Sequence, residues 1–491
     1  MNQLTFKAIE EMPSPLMDIP DYIALAKQFS KYIHDPVNKI IKVDNAGKTY
    51  FTSSTEGKGN ELVTWGVIAV GEYFMLSERW KEYAQALDNY FNSEIEVYAN
   101  APGQTKTEYW YLFYVHTLAG AVYKSYFEKN EQARKRIMTA AYTLQNMAQG
   151  LAYDFNDQGY DFKLKKPWTN KDIFRQPDSI GGYAYNMLFA GIHGGDKSLV
   201  DEAAKAIELY GAFEDNPWYE IPNGSTALLA AAWLKSKGYD VNLERIAGFV
   251  FDPDRGPLQT GTWNGEAVDG LMMGWRGDDR ESASSSAYSM ETLMPLPFIL
   301  PAVKYAPETA KSIVRYALNA VANFRLFFAE GKSAKIYETR PDLSNVVPYE
   351  KLEKVRDGHS PAACGDFLGH RSVYGGAYMP WIASIMRQTG AKNMPAWDIA
   401  LTDMLDVNEH PDPMFLLHNN EKEEANASFS PCCVWKEKRP DLYQGEHING
   451  SIYNYDTGKL ICNVSSNRIN ITVPPKSEVI ITLKSLQNCG L

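Results

Sequence analysis

The most constraining feature of this sequence is one helical hairpin, QPDSIGGYAYNMLFAGIHGGDKSLVDEAAKAIELY, residues 176–210. Asp178 is placed to cap its first helix, whose body runs to Ile192. Gly194-Gly195-Asp196 is a stop-and-cap turn, and Ser198 to Tyr210 reads as the return helix. Helices of this length that bury one face each must stack on further copies of themselves. The spacing of apolar residues predicts such copies along most of the chain. They are 62–73 with 77–91, 108–127 with 131–148, 222–237 with 243–251, 284–305 with 307–328, and 374–389 with 396–407. An amphipathic segment, 18–34, precedes them. Successive hairpins of this kind lose their exposed ends by closing into a ring.

After residue 408 the pattern changes. Residues 408–441, rich in Pro, Asn, Glu and Lys, read as an ordered connector. From Gly445 onward SIYNYD, TGKLICNVSS, NRINITVPP and SEVIITL alternate like antiparallel strands, with turns at 456–458 and 465–467. About 45 residues of strand bury too little to fold alone and should dock on the helices. The expected organisation is therefore mainly α: a toroid over 1–430 and a small C-terminal antiparallel β unit over 431–491.

Composition narrows the partners. The chain has 491 residues, 45% hydrophobic and 22% charged, so a large core is expected. A net charge of −11 argues against nucleic acid and anionic membranes, which need a basic footprint. No apolar run is long enough to span a bilayer. The first residues, MNQLTFKAIEEMPSP, lack a secretory pattern, so a cytoplasmic location is expected unless a leader has been removed. Five cysteines with no C-x-x-C spacing point to free thiols, with neither disulfide framework nor zinc site. No metal or cofactor is expected. There is no H-E-x-x-H, P-loop, strand-borne G-x-G-x-x-G or G-x-S-x-G motif. Aromatics reach 13%, including 30 Tyr and 11 Trp, which suits stacking on sugar rings as well as core packing.

The hairpin 176–210, with its D-x-x-G-G and G-D-x-x-L-x-x-A patterns, resembles those of the six-hairpin, (α/α)6-toroid carbohydrate-active enzymes. The terminal PPKSEVIITL run is similar to the β units of the same group. The resemblance implies an oligo- or polysaccharide substrate and a site in the loops of one rim. A glycoside hydrolase there would need two carboxyl groups, one held protonated as acid and one ionised as base or nucleophile. The candidates are Asp178 in RQPDSIGG, Asp278, Asp279 and Glu281 in WRGDDRE, Glu108 in TEYWYLFYVH, and Asp366 in CGDFLGHR. Glu266 and Asp269 are weaker ones. All of these also fit helix caps and turns.

Candidates for sugar contact are Tyr109, Trp110, Tyr114, Trp263, Trp275, Arg276, Tyr288, His370, Arg371 and Tyr374. A polysaccharide lyase is the alternative. It would need a Tyr or His base and a cation for the uronate. His370, Arg371 and Tyr374 in HRSVYGG form the best such cluster, whereas His116 and His193 fit helix interiors. A non-catalytic toroid that binds glycan or protein is the third possibility. Hydrolysis is the preferred reading.

Overall fold

The computed structural model describes all residues except 1–5, 46, 48, 56–60, 78, 80, 81, 84, 85, 277–285, 329–345, 355–361, 365–370 and 487–491. Among the described residues, six helical segments pack side by side into a closed ring. They are α1 (Leu62–Phe74), α2 (Tyr109–Val122), α3 (Ser179–Gly194), α4 (Ile221–Ser236), the broken pair α5 (Ser289–Leu293) and α6 (Leu296–Tyr305), and the broken pair α7 (Val373–Gly376) and α8 (Met379–Ile385). Each meets the next, and α8 returns to α1. These helices are apolar on nearly every side, and almost every residue in them is buried. That is what a helix needs when it is covered on all faces.

The outer layer is amphipathic. Tyr22–His34 packs on α8, Glu131–Gly150 and Lys197–Gly211 on α3, Leu243–Val250 on α4, and Ala310–Asn323 on α6. Small residues let the inner helices approach. A Cβ on Gly182 would stand 2.4 Å from Asn223 Oδ1, and one on Gly66 would stand 2.9 Å from Leu118 Cβ. The double glycine after Asp178 is thus a packing device between α3 and α4. The ring is plugged, not open. Tyr114 and Tyr378 meet hydroxyl to hydroxyl in its middle, and Phe298 packs edge-on to Tyr114 and Tyr185.

Two predicted helices are interrupted. Within 284–305, Ser286–Tyr288 is a strand and the helix breaks at 294–295, where Pro295 has no N–H to donate. Residues 374–389 split ahead of Pro380 and end in a strand at Met386–Arg387. The predicted helix 396–407 does not exist. Ala396–Asp398 is a strand, followed by turns in which Asp398 Oδ1 accepts from the amides of Ala400 and Leu401, and Asp403 and Asp406 repeat the device at Leu405 and Asn408. Aspartate side chains compete well with a helix for backbone amides. The helical spacing of 396–407 therefore yielded to local turn chemistry.

Strands consequently begin earlier than the 430/431 boundary. We number them β1 (Met386–Arg387), β2 (Ala396–Asp398), β3 (Met414–Asn419), β4 (Ala425–Phe429), β5 (Tyr443–Gln444), β6 (His447–Asn454), β7 (Leu460–Ser466), β8 (Ile469–Val473) and β9 (Ser477–Ser485). All pairings are antiparallel, in the order β1-β2-β3-β9-β6-β5, with β7 also on β6 and with β4 paired to β8. Alternate residues such as Phe415, Leu417, Phe429, Ile448, Ile452, Ile471 and Ile481 build a second core between these layers.

This unit sits on the ring's C-terminal end. His193 Nε2 donates to Met404 O (2.8 Å), Lys304 is paired with Asp403 (2.8 Å) and Asp406, and Tyr455 OH donates to Lys304 O (3.1 Å). The opposite end, where all inner helices begin, is left to the loops.

Candidate functional site

The first amides of a helix need acceptors. Here α1, α2 and α5 take their caps from neighbouring loops, and α7 takes its cap from Ser372 immediately ahead of it. Leu62 N and Val63 N donate to the backbone O and Oδ1 of Asn100 (2.8 and 3.1 Å). Trp110 N donates to Gln176 Oε1 (2.8 Å). Ser289 N donates to Glu350 O (3.0 Å), and Gly375 N donates to Ser372 Oγ (2.8 Å). The residues standing at the N-caps of α1, α2 and α4 are Glu61, Glu108 and Glu220, and none of them caps its own helix. Their carboxyl groups are free for other work, in the favourable field of the helix N-termini.

These carboxyl groups converge. The Tyr111 hydroxyl, in the first turn of α2, is raised well above the ordinary tyrosine value by burial and then by Glu61, Glu220, Glu108 and Glu350. Glu220 is 8% exposed and Glu291, on α5, is 2% exposed. Burial raises both well above the usual carboxylate range. For Glu220 the charges of Glu291, Glu108 and Asp178 add to the effect, while for Glu291 the Ile221 amide opposes it. The Oε2 of each is buried with no hydrogen-bond partner.

Glu108 is built differently. Gln158 Nε2 donates to its Oε1 (2.9 Å) and Gln176 Nε2 to its Oε2 (3.2 Å). Burial raises its pKa, but the two amides favour the ionised form. Glu61 is raised by burial alone. Glu350 accepts from Tyr374 OH (2.7 Å).

Asp178 lies just beneath this layer, fully buried. Its Oδ2 accepts from the amides of Tyr219 (2.8 Å) and Glu220 (3.3 Å), and its Oδ1 accepts from Asn223 Nδ2 (3.2 Å). Burial pushes it up to about 7 against those donors and Arg276. Asp178 therefore ties the start of α4 to α3 and fixes the backbone that carries Glu220.

The aromatic and basic candidates distribute as follows. Trp275 is half-buried, its backbone bridges to Glu220, and its ring leans on Phe174 (5.6 Å) and Tyr219 (6.1 Å). Arg276 donates to Asn216 O (3.3 Å). Trp110 is buried with its ring 3.8 Å from that of Tyr111. Tyr109 packs on Phe113 and Phe155, and Tyr114 belongs to the central plug. Tyr288 is buried against Gly274, with Lys351 Nζ 5.6 Å from its ring. Trp263 is buried in a two-stranded turn. Arg371 lies 3.8 Å over the Tyr349 ring and donates to Val347 O (3.1 Å). Half-buried Tyr374 reaches the site through Glu350.

Asp278, Asp279, Glu281, Asp366 and His370 lie outside the described residues. Glu266 pairs with Arg325 (3.2 Å), and Asp269 accepts from the Gly261 amide (2.7 Å). His116 is neutral in the core: burial lowers it to about 4, Nδ1 donates to Leu112 O and Nε2 accepts from Tyr98 N.

Glu61, Glu220, Glu291, Glu350 and Tyr111 were not foreseen from the sequence. For Glu61 and Glu220 a signal existed, because each, like Glu108 and Asp178, is the residue immediately before an inner helix. Among the described residues no group of three or more His, Cys, Asp or Glu is disposed to hold a metal ion, and no helix is long and apolar enough to cross a membrane.

No protein-family model matches the chain, and no curated protein does. Among solved structures it is similar to a sugar epimerase from a ruminal bacterium, at 10% identity over 74% of this chain and 98% of that one, TM-score 0.45. It is similar to a family 76 glycoside hydrolase from a bovine Bacteroides thetaiotaomicron strain, at 13% identity over 74% and 78%, TM-score 0.44. It is also similar to the unsaturated glucuronyl hydrolase of Bacillus sp. GL1, at 14% identity over 74% and 94%, TM-score 0.38. The ring of six inner helical segments closed by α8 on α1, each carrying its start to one rim, with amphipathic helices packed outside it, gives this chain an (α/α)6-type toroid fold.

Proposed function

We propose that this protein is a carbohydrate-active enzyme that hydrolyses glycosidic bonds at the rim where the inner helices begin. The observation that carries the reading is the contrast between Glu220 and Glu108. Glycoside hydrolysis needs one carboxyl that keeps its proton to give to the leaving oxygen and another that is ionised. Glu220, buried among three other carboxylates, is the proton donor. Glu108, held by two glutamine amides, is the ionised partner that activates water or attacks the sugar. Trp275 and Tyr111 supply flat faces for a sugar ring beside them. Asp178 is a positioning residue that holds the Glu220 backbone.

An eliminating lyase would bring a uronate carboxylate into this acidic rim, where every nearby glutamate opposes it. The hydrolytic reading is preferred on that ground.

The test is turnover by Glu220→Gln and Glu108→Gln against a panel of neutral and substituted oligosaccharides. Each variant should lose roughly 10²–10⁴-fold in rate while keeping substrate binding. Unchanged turnover in both would sink the assignment. A product with new ultraviolet absorption would identify elimination instead.

A further inference from the structure

A cavity lies at the other end of the molecule from the rim, between the ring and the β unit. It encloses about 330 Å³ and is lined by Tyr73 of α1, by Lys124 and Glu128 beyond α2, by Asp406, and by Trp435 and Lys438 of the short helix Val434–Lys438. Lys129 and Glu409 also line it, and their side chains are 88% and 69% exposed, so the cavity opens to solvent.

The carboxylates around this cavity are already engaged. Glu128 takes Lys124, Glu409 takes Lys129, and Asp403 and Asp406 share Lys304. Asp398 accepts from the Trp435 indole and from the amides of Ala400 and Leu401. Lys438 is left over. Half-buried Lys124, Lys304, Lys311, Lys351 and Lys436 each pair with a carboxylate, whereas half-buried Lys438 pairs with none among the described residues. Its Nζ lies instead 5.5 Å from the centre of the Tyr73 ring. An ammonium so placed is poorly compensated for the water it loses. Burial lowers Lys438 to about 8, with Lys124 adding to the effect and Glu128, Asp398 and Asp406 opposing it. A lysine shifted in this way is a nucleophile near neutral pH.

We propose that Lys438 is a covalent modification site that takes small aldehydes, open-chain aldoses among them, as imines inside this cavity. The lone pair of neutral Nζ forms a C–N bond to the carbonyl carbon. The two amine hydrogens leave with the carbonyl oxygen as water, and a C=N bond remains. The site is separate from the rim and stands whether or not the rim hydrolyses glycans.

The experiment uses the full chain, a limiting amount of glyceraldehyde, and cyanoborohydride, which delivers hydride to the imine carbon and fixes the adduct as a secondary amine. Peptide mapping by mass spectrometry reads the rate at each lysine. At pH 7 an amine with a pKa of about 8 is about one-tenth neutral, against less than about one-thousandth for an ordinary lysine. Lower basicity weakens the nucleophile and returns part of that gain. Lys438 should therefore be labelled roughly ten-fold faster than the exposed Lys392 and Lys422. Its rate should level off above about pH 8, while theirs keep rising. An aldehyde-bearing dextran too bulky for the cavity should reverse the order and spare Lys438. Labelling of Lys438 by glyceraldehyde no faster than that of Lys392 at pH 7 overturns the proposal, and so does preferential labelling of Lys438 by the dextran.

Discussion

At the residue scale, the behaviour of Glu220 and Asp178 with pH follows from where their charges sit. Glu220 is the acid only while protonated, so activity should fall on the alkaline side as it ionises. After burial, the charge of Glu291 does most to keep it protonated. Replacing Glu291 by Gln removes a like charge, eases ionisation of Glu220, and should move the alkaline limb of kcat/KM to lower pH. An unmoved limb would mean that another group sets it. Asp178 has the opposite readout, in stability. Its pKa is raised in the folded state to about 7 from 3.8. The stabilising contribution of its protonated form is complete below about pH 4 and is lost as the pH rises through 7. Wild-type melting temperature should therefore carry a downward component across that window, and Asp178→Asn should flatten it. Thermal melts at half-unit pH steps decide this.

At the element scale, the site depends on borrowed caps. Asn100 closes the start of α1 with both its backbone and its side chain. Asn100→Ala removes the side-chain half and should cost about 1 kcal/mol in urea denaturation, with Glu61 losing definition beside it. This economy also explains what could be read beforehand. The helix pairs were visible because their periodicity is long and their stops are marked, as at Gly194-Gly195. Glu108 and Asp178 were visible because each stands immediately ahead of a helix. Glu291 and Glu350 were not, since one lies inside a helix broken by Pro295 and the other precedes a three-residue strand at Lys351–Glu353. Nothing local distinguishes them from solvated glutamates, and their role comes from the ring bringing distant helix starts together. The stretch 396–407 misled for the converse reason: its apolar spacing is helical, but its aspartates take the backbone amides for turns.

At the scale of the whole molecule, the β unit and the ring hold each other through a few buried charges at the end away from the site. Lys304, at the end of α6, sits between Asp403 and Asp406, whose side chains are 0% and 9% exposed. Lys304→Met strands two buried carboxylates and should cost about 3–5 kcal/mol near neutral pH. The loss should shrink in acid, where those carboxylates are protonated, and chemical denaturation at two pH values measures it. Rim chemistry should be little changed in the folded fraction, because the plug of Tyr114, Tyr378 and Phe298 lies between.

The seam of the ring carries one more consequence. Trp381 Nε1 on α8 donates to Val67 O on α1 (2.9 Å), joining residues 314 positions apart. During synthesis, α1 leaves the ribosome long before the helix that completes its packing. Until α8 follows, the apolar flank of α1 facing it has no native cover. The nascent chain must therefore carry that face through most of its own translation, and folding of the toroid is timed by the emergence of its last inner helix.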